Sequence, residues 1–395
     1  MTLPLEGVRV LAVEQYGAGP FGTMFLADQG AEVIKIENPH DGGDIARGVG
    51  PFFFAEHDSV FYHSFNRNKK SISLDLRQDE GRAVLRDLVA GADALTSNLR
   101  GDVPEKLGLT YAHLKACNPK IVCAHLSAYG RTGPRASWPG FDYLMQAEAG
   151  FLSLTGEPEA SPARFGLSMV DFMTGLGLAY AVLAALTAAR TTGEGRDMDV
   201  SLFDMALANT NYVAAWYLNE GHRQERLPRS AHPSLTPCQL YPTADGWIFI
   251  MCNKEKFWPA LCELVERPEW AGDARFGSFA ERLANRDALT ALLDDALASC
   301  STSEWLTRFA GHIPAAPVND IAEALENPFV TDHDRLQTLT HPEAGEYRLV
   351  APPVRSAEPP PAHPAPALGQ HTDELLTEIG YNAARLRKLR TAGVI

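Results

Sequence analysis

Val8-Arg-Val-Leu-Ala-Val13 opens the stretch that decides the fold. A valine-rich apolar run of this length predicts a buried strand. Phe21–Gln29 follows with helical character, Gly30 supplies a C-terminal stop, and Glu32–Glu37 reads as a second strand. Strand, helix and strand in such close succession predict a βαβ unit and hence a parallel sheet. Downstream, Gly81–Ala90 reads as helix, Ala94–Asn98 as strand, Tyr111–Asn118 as a short helix and Ile121–Leu126 as strand. Leu176–Arg190 is almost wholly Ala, Leu, Val, Gly, Tyr and Thr, which predicts a helix buried nearly all round. Asp197–Leu202 then reads as strand, with a helix from Phe203, so the first two hundred residues form one α/β domain.

The 395 residues are enough for two or three domains. Residues 1–220 read as a large α/β domain, 221–330 as a smaller α+β domain with linkers, and 331–395 as a segment returning to the large domain. Gln239–Thr243 and Trp247–Cys252 flank Asp245-Gly246, a strong hairpin signal. Pro352–Pro366 is proline-rich and therefore extended.

A net charge of −14 argues against nucleic acid or an anionic membrane as the main partner. The six cysteines lack metal-ligand or disulfide-framework spacing, so no metal is expected and free thiols in a reducing cytoplasm are. The N-terminus lacks the basic-then-apolar run of a signal peptide. The Leu176–Leu186 run is short and broken by glycine, which suits a core helix better than a membrane span.

Two features carry chemistry. Asp171 stands where an apolar segment turns into the bland helix, in the field of the helix's free N–H groups, which favours its ionised, nucleophilic form. An N-capping aspartate would stand in the same place without any catalytic duty. The second feature is Gly17-Ala-Gly19-Pro-Phe-Gly22, which satisfies the dinucleotide fingerprint G-x-G-x-x-G, with Glu37 near the place of a ribose-binding acid. That reading makes the chain a nicotinamide oxidoreductase. Against it, Glu14-Gln15-Tyr16 separates strand from glycine, and Glu14 sets a negative charge near any pyrophosphate. A glycine loop that lets the backbone approach another ligand is the alternative.

The chain resembles the family III CoA-transferases nearly end to end. The resemblance rests on Leu5-Glu-Gly-Val-Arg-Val-Leu, Leu26-Ala-Asp-Gln-Gly-Ala-Glu-Val-Ile-Lys-Ile-Glu37, Asn66-Arg-Asn-Lys-Lys-Ser-Ile-Ser-Leu-Asp-Leu76 and Ser127-Ala-Tyr-Gly-Arg-Thr-Gly-Pro134. The Asp171 segment, Asp197-Met-Asp-Val-Ser-Leu-Phe-Asp204, Pro317-Val-Asn319 and Leu368-Gly-Gln-His-Thr-Asp373 extend it. It implies a large domain with a Rossmann-like parallel sheet core, a smaller domain, and an interlocked homodimer. It also implies an acyl-CoA substrate with no tightly bound cofactor, a small carboxylic acid as acceptor, and Asp171 as nucleophile, passing through an aspartyl anhydride and an aspartyl-CoA thioester. The CoA-binding positions it points to are Arg47, Asn66, Asn68, Lys69, Lys70, Asn98, Arg100 and Lys106. Arg67, Lys69 and Lys70 supply adjacent cations that suit a ligand carrying several phosphates.

Gly17, Ala18, Gly19, Phe141, Asp142 and His232 fall on the active-site loops. His232 is either a hydrogen-bond donor to an acyl or carboxylate oxygen or an ordinary loop histidine. This chain has Gly17 where the formyl-CoA transferase branch has glutamine, and Arg229-Ser-Ala-His-Pro-Ser234 in place of a glycine flap. The formyl/oxalate pair is therefore not expected. The related α-methylacyl-CoA racemases carry a histidine base in a Gly-His-Asp context, whereas here the run is Gly140-Phe141-Asp142. Racemisation needs a base on each face of the α-carbon. Transfer is favoured, from succinyl-CoA or another dicarboxylyl-CoA, with Arg164, Arg229 and His232 as candidates to hold a second carboxylate.

Overall fold

The computed structural model describes residues 2–358 and 361–395. Its chain divides into two compact units, one holding the N-terminal part to Ala149, Gly166–Asn211 and Phe329–Ile395, the other Gly150–Phe165 and Tyr212–Pro328. Pro359 and Pro360, within the proline-rich stretch, lie outside the described residues.

The first unit is built on a six-stranded parallel sheet. Its strands are β1 (Arg9–Val13), β2 (Glu32–Glu37), β3 (Lys70–Ser73), β4 (Ala94–Ser97), β5 (Val122–Ser127) and β6 (Arg196–Ser201), in the spatial order β3-β2-β1-β4-β5-β6. The order reverses between β1 and β4, and the carboxyl ends of those two strands open the crevice where doubly wound sheets bind ligands. The helices that matter here are α1 (Ala18–Asp28), α2 (Val60–Asn66), α3 (Asp79–Val89), α4 (Asp142–Glu148), α5 (Met169–Thr192) and α6 (Leu202–Glu220).

A parallel sheet must be covered on both faces. On one face Leu11, Ile34, Ile72 and Leu95 pack against Val84, Leu85 and Leu88 of α3. The same core takes in Leu375, Leu376, Tyr381, Leu386 and Leu389 from the end of the chain, where helices Thr372–Glu378 and Ala383–Thr391 lie. The other face is covered by α1 and α5, with α5 running along β5 and β6. α5 is long and apolar enough to cross a membrane by length and composition; Val170, Leu178, Val182, Ala185 and Leu186 bury it within the protein instead.

The expectation that this helix is buried all round is corrected. Leu176, Tyr180 and Leu183 form an exposed strip, with Tyr180 at 74% exposure. The spacing of three to four residues explains it: Leu176, Tyr180 and Leu183 share the outer face, while Gly175, Leu178, Ala179 and Val182 lie on the buried one.

α1 and α5 touch backbone to backbone. A Cβ on Gly22 would fall inside the carbonyl group of Gly175, and one on Gly175 would lie 2.5 Å from the carbonyl oxygen of Ala18. Glycine at both positions is what permits the crossing.

α6 is interrupted at Asn211 (φ 41°), the last residue of the first unit's share of this region. The second unit carries an antiparallel three-stranded sheet in which Cys238–Pro242 and Trp247–Met251 form the expected hairpin and Ala315–Pro317 pairs on its other side. Trp258, Phe276, Leu289, Leu293, Trp305 and Phe309 fill its core. Strands that went unread in the sequence include β3, whose Lys-Ser-Ile-Ser is largely polar, and both strands of the hairpin Leu336–His341 with Gly345–Val350.

Gly22→Ala should therefore lower stability by about 1–3 kcal/mol, because the added methyl meets backbone that no rotamer change can move. A thermal melt checks this; an unchanged Tm would show that the two helices do not meet as described.

Candidate active site

Asp171 is the third residue of α5, whose N-cap is Ser168, so it is not the capping residue. The cap comes from elsewhere. Asp142, buried at the start of α4, accepts the backbone N–H of Asp171 on Oδ2 at 2.9 Å, and Gln146 donates to Asp142 Oδ1 at 2.5 Å. The side chain of Asp171 is 7% exposed and faces a cavity of about 370 Å³. Around it are Gln15–Ala18 from the loop after β1, Asn98–Arg100 after β4, Ser127 and Ala128 after β5, and Trp138–Phe141. The cavity thus sits over the strand carboxyl ends, at the reversal of strand order.

Burial, with the charge of Asp142 adding to it, pushes the Asp171 carboxyl up from its ordinary 3.8 to about 7. The expectation that the helix field keeps it readily ionised is corrected: desolvation and a neighbouring carboxylate outweigh the first-turn amides.

The three glycines of the G-x-G-x-x-G run each face something definite. A Cβ on Gly17 would stand 3.2 Å from Oδ2 of Asp171; one on Gly19 would stand 2.9 Å from Cβ and Cγ of Asn98; Gly22 abuts Gly175. All three are explained by contacts inside the protein, and the dinucleotide reading loses its motif. Glu14, the residue that argued against it, is buried and paired with Lys69 at 2.8 Å.

Residues 5–372 match the family description "CoA-transferase family III". The chain belongs to CoA-transferase family III. It is 34% identical to the succinate–glutarate CoA-transferase of Agrobacterium fabrum, over 95% of this chain and 96% of that protein. Its identity to the human succinyl-CoA:glutarate CoA-transferase is also 34%, over 99% and 90% of the two chains. Among solved structures it is similar to a CAIB/BAIF family protein from Brucella suis, at 32% identity and a TM-score of 0.82, covering 96% of this chain and 100% of that one. The chain is thus an enzyme that moves CoA between an acyl-CoA and a carboxylate.

As a family III CoA-transferase it distributes the expected site residues unevenly. Gly17, Ala18, Asn98, Arg100, Phe141 and Asp171 come together around the cavity, with Gly19 beside Asn98 and Asp142 behind Asp171. The adjacent cations do not form a cluster. Arg67 pairs with Asp28, Lys69 with Glu14, and Lys70 with both Glu32 and Glu374. The backbone explains the divergence: Arg67 caps the end of α2, Asn68 turns through the left-handed region (φ 63°) and Lys70 opens β3. Burial pushes the Lys69 ammonium down to about 8. Asn66 is fully buried, donating to the carbonyl of Tyr62 and accepting from Lys69. Asn68 bonds Asp28 and the N–H of His363. Arg47 is held bidentately by Glu37 at 2.9 and 2.7 Å. Lys106 is exposed and paired with Asp102. These side chains are spent inside the fold or in local pairs, so a cluster of free cations over Asn66–Lys70 is not what the chain presents.

His232 belongs to the second unit, where its Nδ1 accepts the N–H groups of Ser234 and Leu235, each at 3.1 Å. Arg229, also in that unit, is paired with Asp294 at 2.7 Å, which corrects the expectation of a free cation there.

One residue escaped the sequence reading. Arg77 lines a second cavity of about 440 Å³ that shares Gln15, Ile45, Leu99 and Val103 with the first. It lies just past the carboxyl end of β3, and recognising that strand would have singled it out. Away from these two cavities, Asp58, His63 and His341 converge as possible metal ligands. Their hydrogen bonds are already complementary: both Nε2 atoms meet Asp58 at 2.8 Å, while Nδ1 of His341 accepts the N–H groups of Glu343 and Ala344. A metal on that Nε2 would force an N–H onto Nδ1, against two donors.

The raised carboxyl has a stability consequence. The native state holds a proton that the unfolded chain has lost between pH 4 and 7, so stability falls as pH rises through that window and levels off above 7. The full cost is on the order of 4 kcal/mol. Asp171→Asn should raise Tm, and by more at pH 8 than at pH 5. A melt at both values that shows no gain at pH 8 would contradict the burial of an ionisable Asp171.

Proposed function

We propose that this enzyme transfers CoA from succinyl-CoA, or a related short dicarboxylyl-CoA, to a small dicarboxylic acid through covalent intermediates on Asp171. The observation that carries the mechanism is a carboxylate facing the cavity whose oxygens, among the described residues, make no hydrogen bond. A poorly solvated carboxylate is a strong nucleophile once ionised. It attacks the thioester carbonyl, the C–S bond breaks, CoA leaves as thiolate, and an aspartyl–acyl anhydride remains. The thiolate then attacks the Asp171 carbonyl, releasing the donor acid and leaving an aspartyl-CoA thioester. The acceptor carboxylate repeats the sequence in reverse, and acyl-CoA departs as Asp171 is regenerated. No net proton is consumed. The choice of dicarboxylates rests on relatives that include, besides the glutarate enzymes, a succinyl-CoA:mesaconate CoA-transferase from Haloarcula hispanica at 34% identity.

The two adjoining cavities suit an elongated ligand, with Arg100 on one and Arg77 on the other, each held at the rim by carboxylates (Asp102; Asp41 and Asp75). A racemase reading finds less support, because Asp171 is the only carboxylate among the residues lining its cavity and no imidazole joins it. The exposed strip of Leu176, Tyr180 and Leu183 suits burial against a second copy, as expected of a homodimer. Six unpaired cysteines suit a reducing compartment such as the cytoplasm.

Exchange of isotope between labelled free succinate and succinyl-CoA tests the reading. Wild type should exchange, Asp171→Ala should lose roughly 10⁴-fold or more, and neither should wash solvent deuterium into the α-position. Undiminished exchange by the variant, or deuterium wash-in by wild type, overturns the proposal. The rate should also fall on the acid side of about pH 7 as Asp171 takes up a proton. Asp142→Asn removes the repelling charge and should move that limb to lower pH; an upward shift would contradict the electrostatic role given to Asp142.

A further inference from the structure

We infer that Asn98 is a positioning residue of the acyl-transfer site, its carboxamide holding the turn after β1 so that the first amides of α1 are presented to the acyl group on Asp171. The inference rests on the aspartyl mechanism proposed above. It begins with a two-point contact across the reversal of strand order. Oδ1 of Asn98 accepts the N–H of Gln15 at 2.9 Å, and Nδ2 donates to the carbonyl of the same residue at 2.6 Å. Only a carboxamide offers a donor and an acceptor in that arrangement; an aspartate or leucine of equal size does not.

The residue so clamped precedes a strained one. Tyr16 has a φ of 68°, the left-handed region that a bulky side chain rarely occupies, and Oδ1 of Asp44 holds its N–H at 2.8 Å. The next residue is Gly17, whose Cα side faces Oδ2 of Asp171. α1 begins at Ala18, and its first turn leaves N–H groups without intrahelical partners. Pro20 has none to offer and the N–H of Phe21 already meets the carbonyl of Gly17, so Ala18 and Gly19 supply the available amides. Oriented amides at the place where charge develops on a thioester oxygen are an effective electrostatic device, provided they are held in place beforehand. Gly19 completes the argument, because its missing Cβ is the space that Asn98 occupies.

Asn98→Ala removes the clamp; Gly19→Ala leaves its chemistry intact and pushes it aside without adding charge. Both variants should lose about 10–100-fold in kcat, with KM for succinyl-CoA nearly unchanged. Both should also move the acid limb to higher pH, since the amides that favour the anion no longer face it. Asp142 from α4 is the charged group that acts on Asp171, and Arg100 after β4 lines the same cavity; neither variant alters them. A raised KM at constant kcat would make Asn98 a direct CoA contact, and a loss of kcat without a shifted limb would make it a mere support of the fold; either overturns the inference. Asp171→Ala is run alongside. If that variant keeps its exchange activity, the aspartyl mechanism fails and takes this inference with it. If it is inactive, the Asn98 and Gly19 results stand alone.

Discussion

The contact between Gly22 and Gly175 is the constraint on which the site depends. Two helices that meet through side chains stand 8–10 Å apart; two that meet through glycine backbone come closer. Each glycine lies one helical turn beyond a functional position: Gly22 follows Ala18 by four residues and Gly175 follows Asp171 by four. Bringing the backbones together at one level brings the two helix starts together at the next. Asp171 therefore lies close against Gly17, where an added Cβ would stand 3.2 Å from its Oδ2. The catalytic geometry is inherited from helix packing and trimmed by the loops.

Around that contact the protein assembles an unusual amount of buried charge. Glu14, Lys35, Glu37, Asp44, Arg47 and Lys69 all lie inside the first unit. All six are neutralised in pairs: Lys35 with Asp44, Arg47 with Glu37, Lys69 with Glu14. Asp44 also holds Tyr16, and Glu37 also accepts from Ser71 and the N–H of Asp44. Such pairs stabilise little when compared with apolar replacements, but each member is costly to remove alone. Their visible yield is the placement of a strained turn. Asp171 is the exception, a buried carboxylate given a like-charged neighbour and no cation, and it is the group with chemistry to perform.

Much of this was legible in the residues. The βαβ opening was readable because β1 is largely apolar, β2 carries Val33, Ile34 and Ile36, and the glycine after the helix is unambiguous. The site was locatable because Asp171 interrupts an otherwise featureless run. What could not be read depended on partners distant in the chain. Arg67, Lys69 and Lys70 look like a cationic patch until Asp28, Glu14, Glu32 and Glu374 are brought to them. The charge state of Asp171 looked set by its own helix, yet Asp142 and the surrounding burial decide it. The glycine fingerprint was misleading for a related reason: spacing alone does not say whether a missing Cβ makes room for a ligand, a side chain or another helix.

The end of the chain has a consequence for biosynthesis. Leu375, Leu376, Tyr381, Leu386 and Leu389 cover the face of the sheet laid down by residues near the beginning, and the N–H of Asp75 bonds the carbonyl of Val394. While the ribosome is still translating, α3 alone covers that face, and the part met by the C-terminal helices stays open through the synthesis of the whole second unit. That unit, whose core is drawn from residues between Tyr241 and Ile313 alone, can close first. The core of the catalytic unit is thus complete only when residues from both ends of the chain are present.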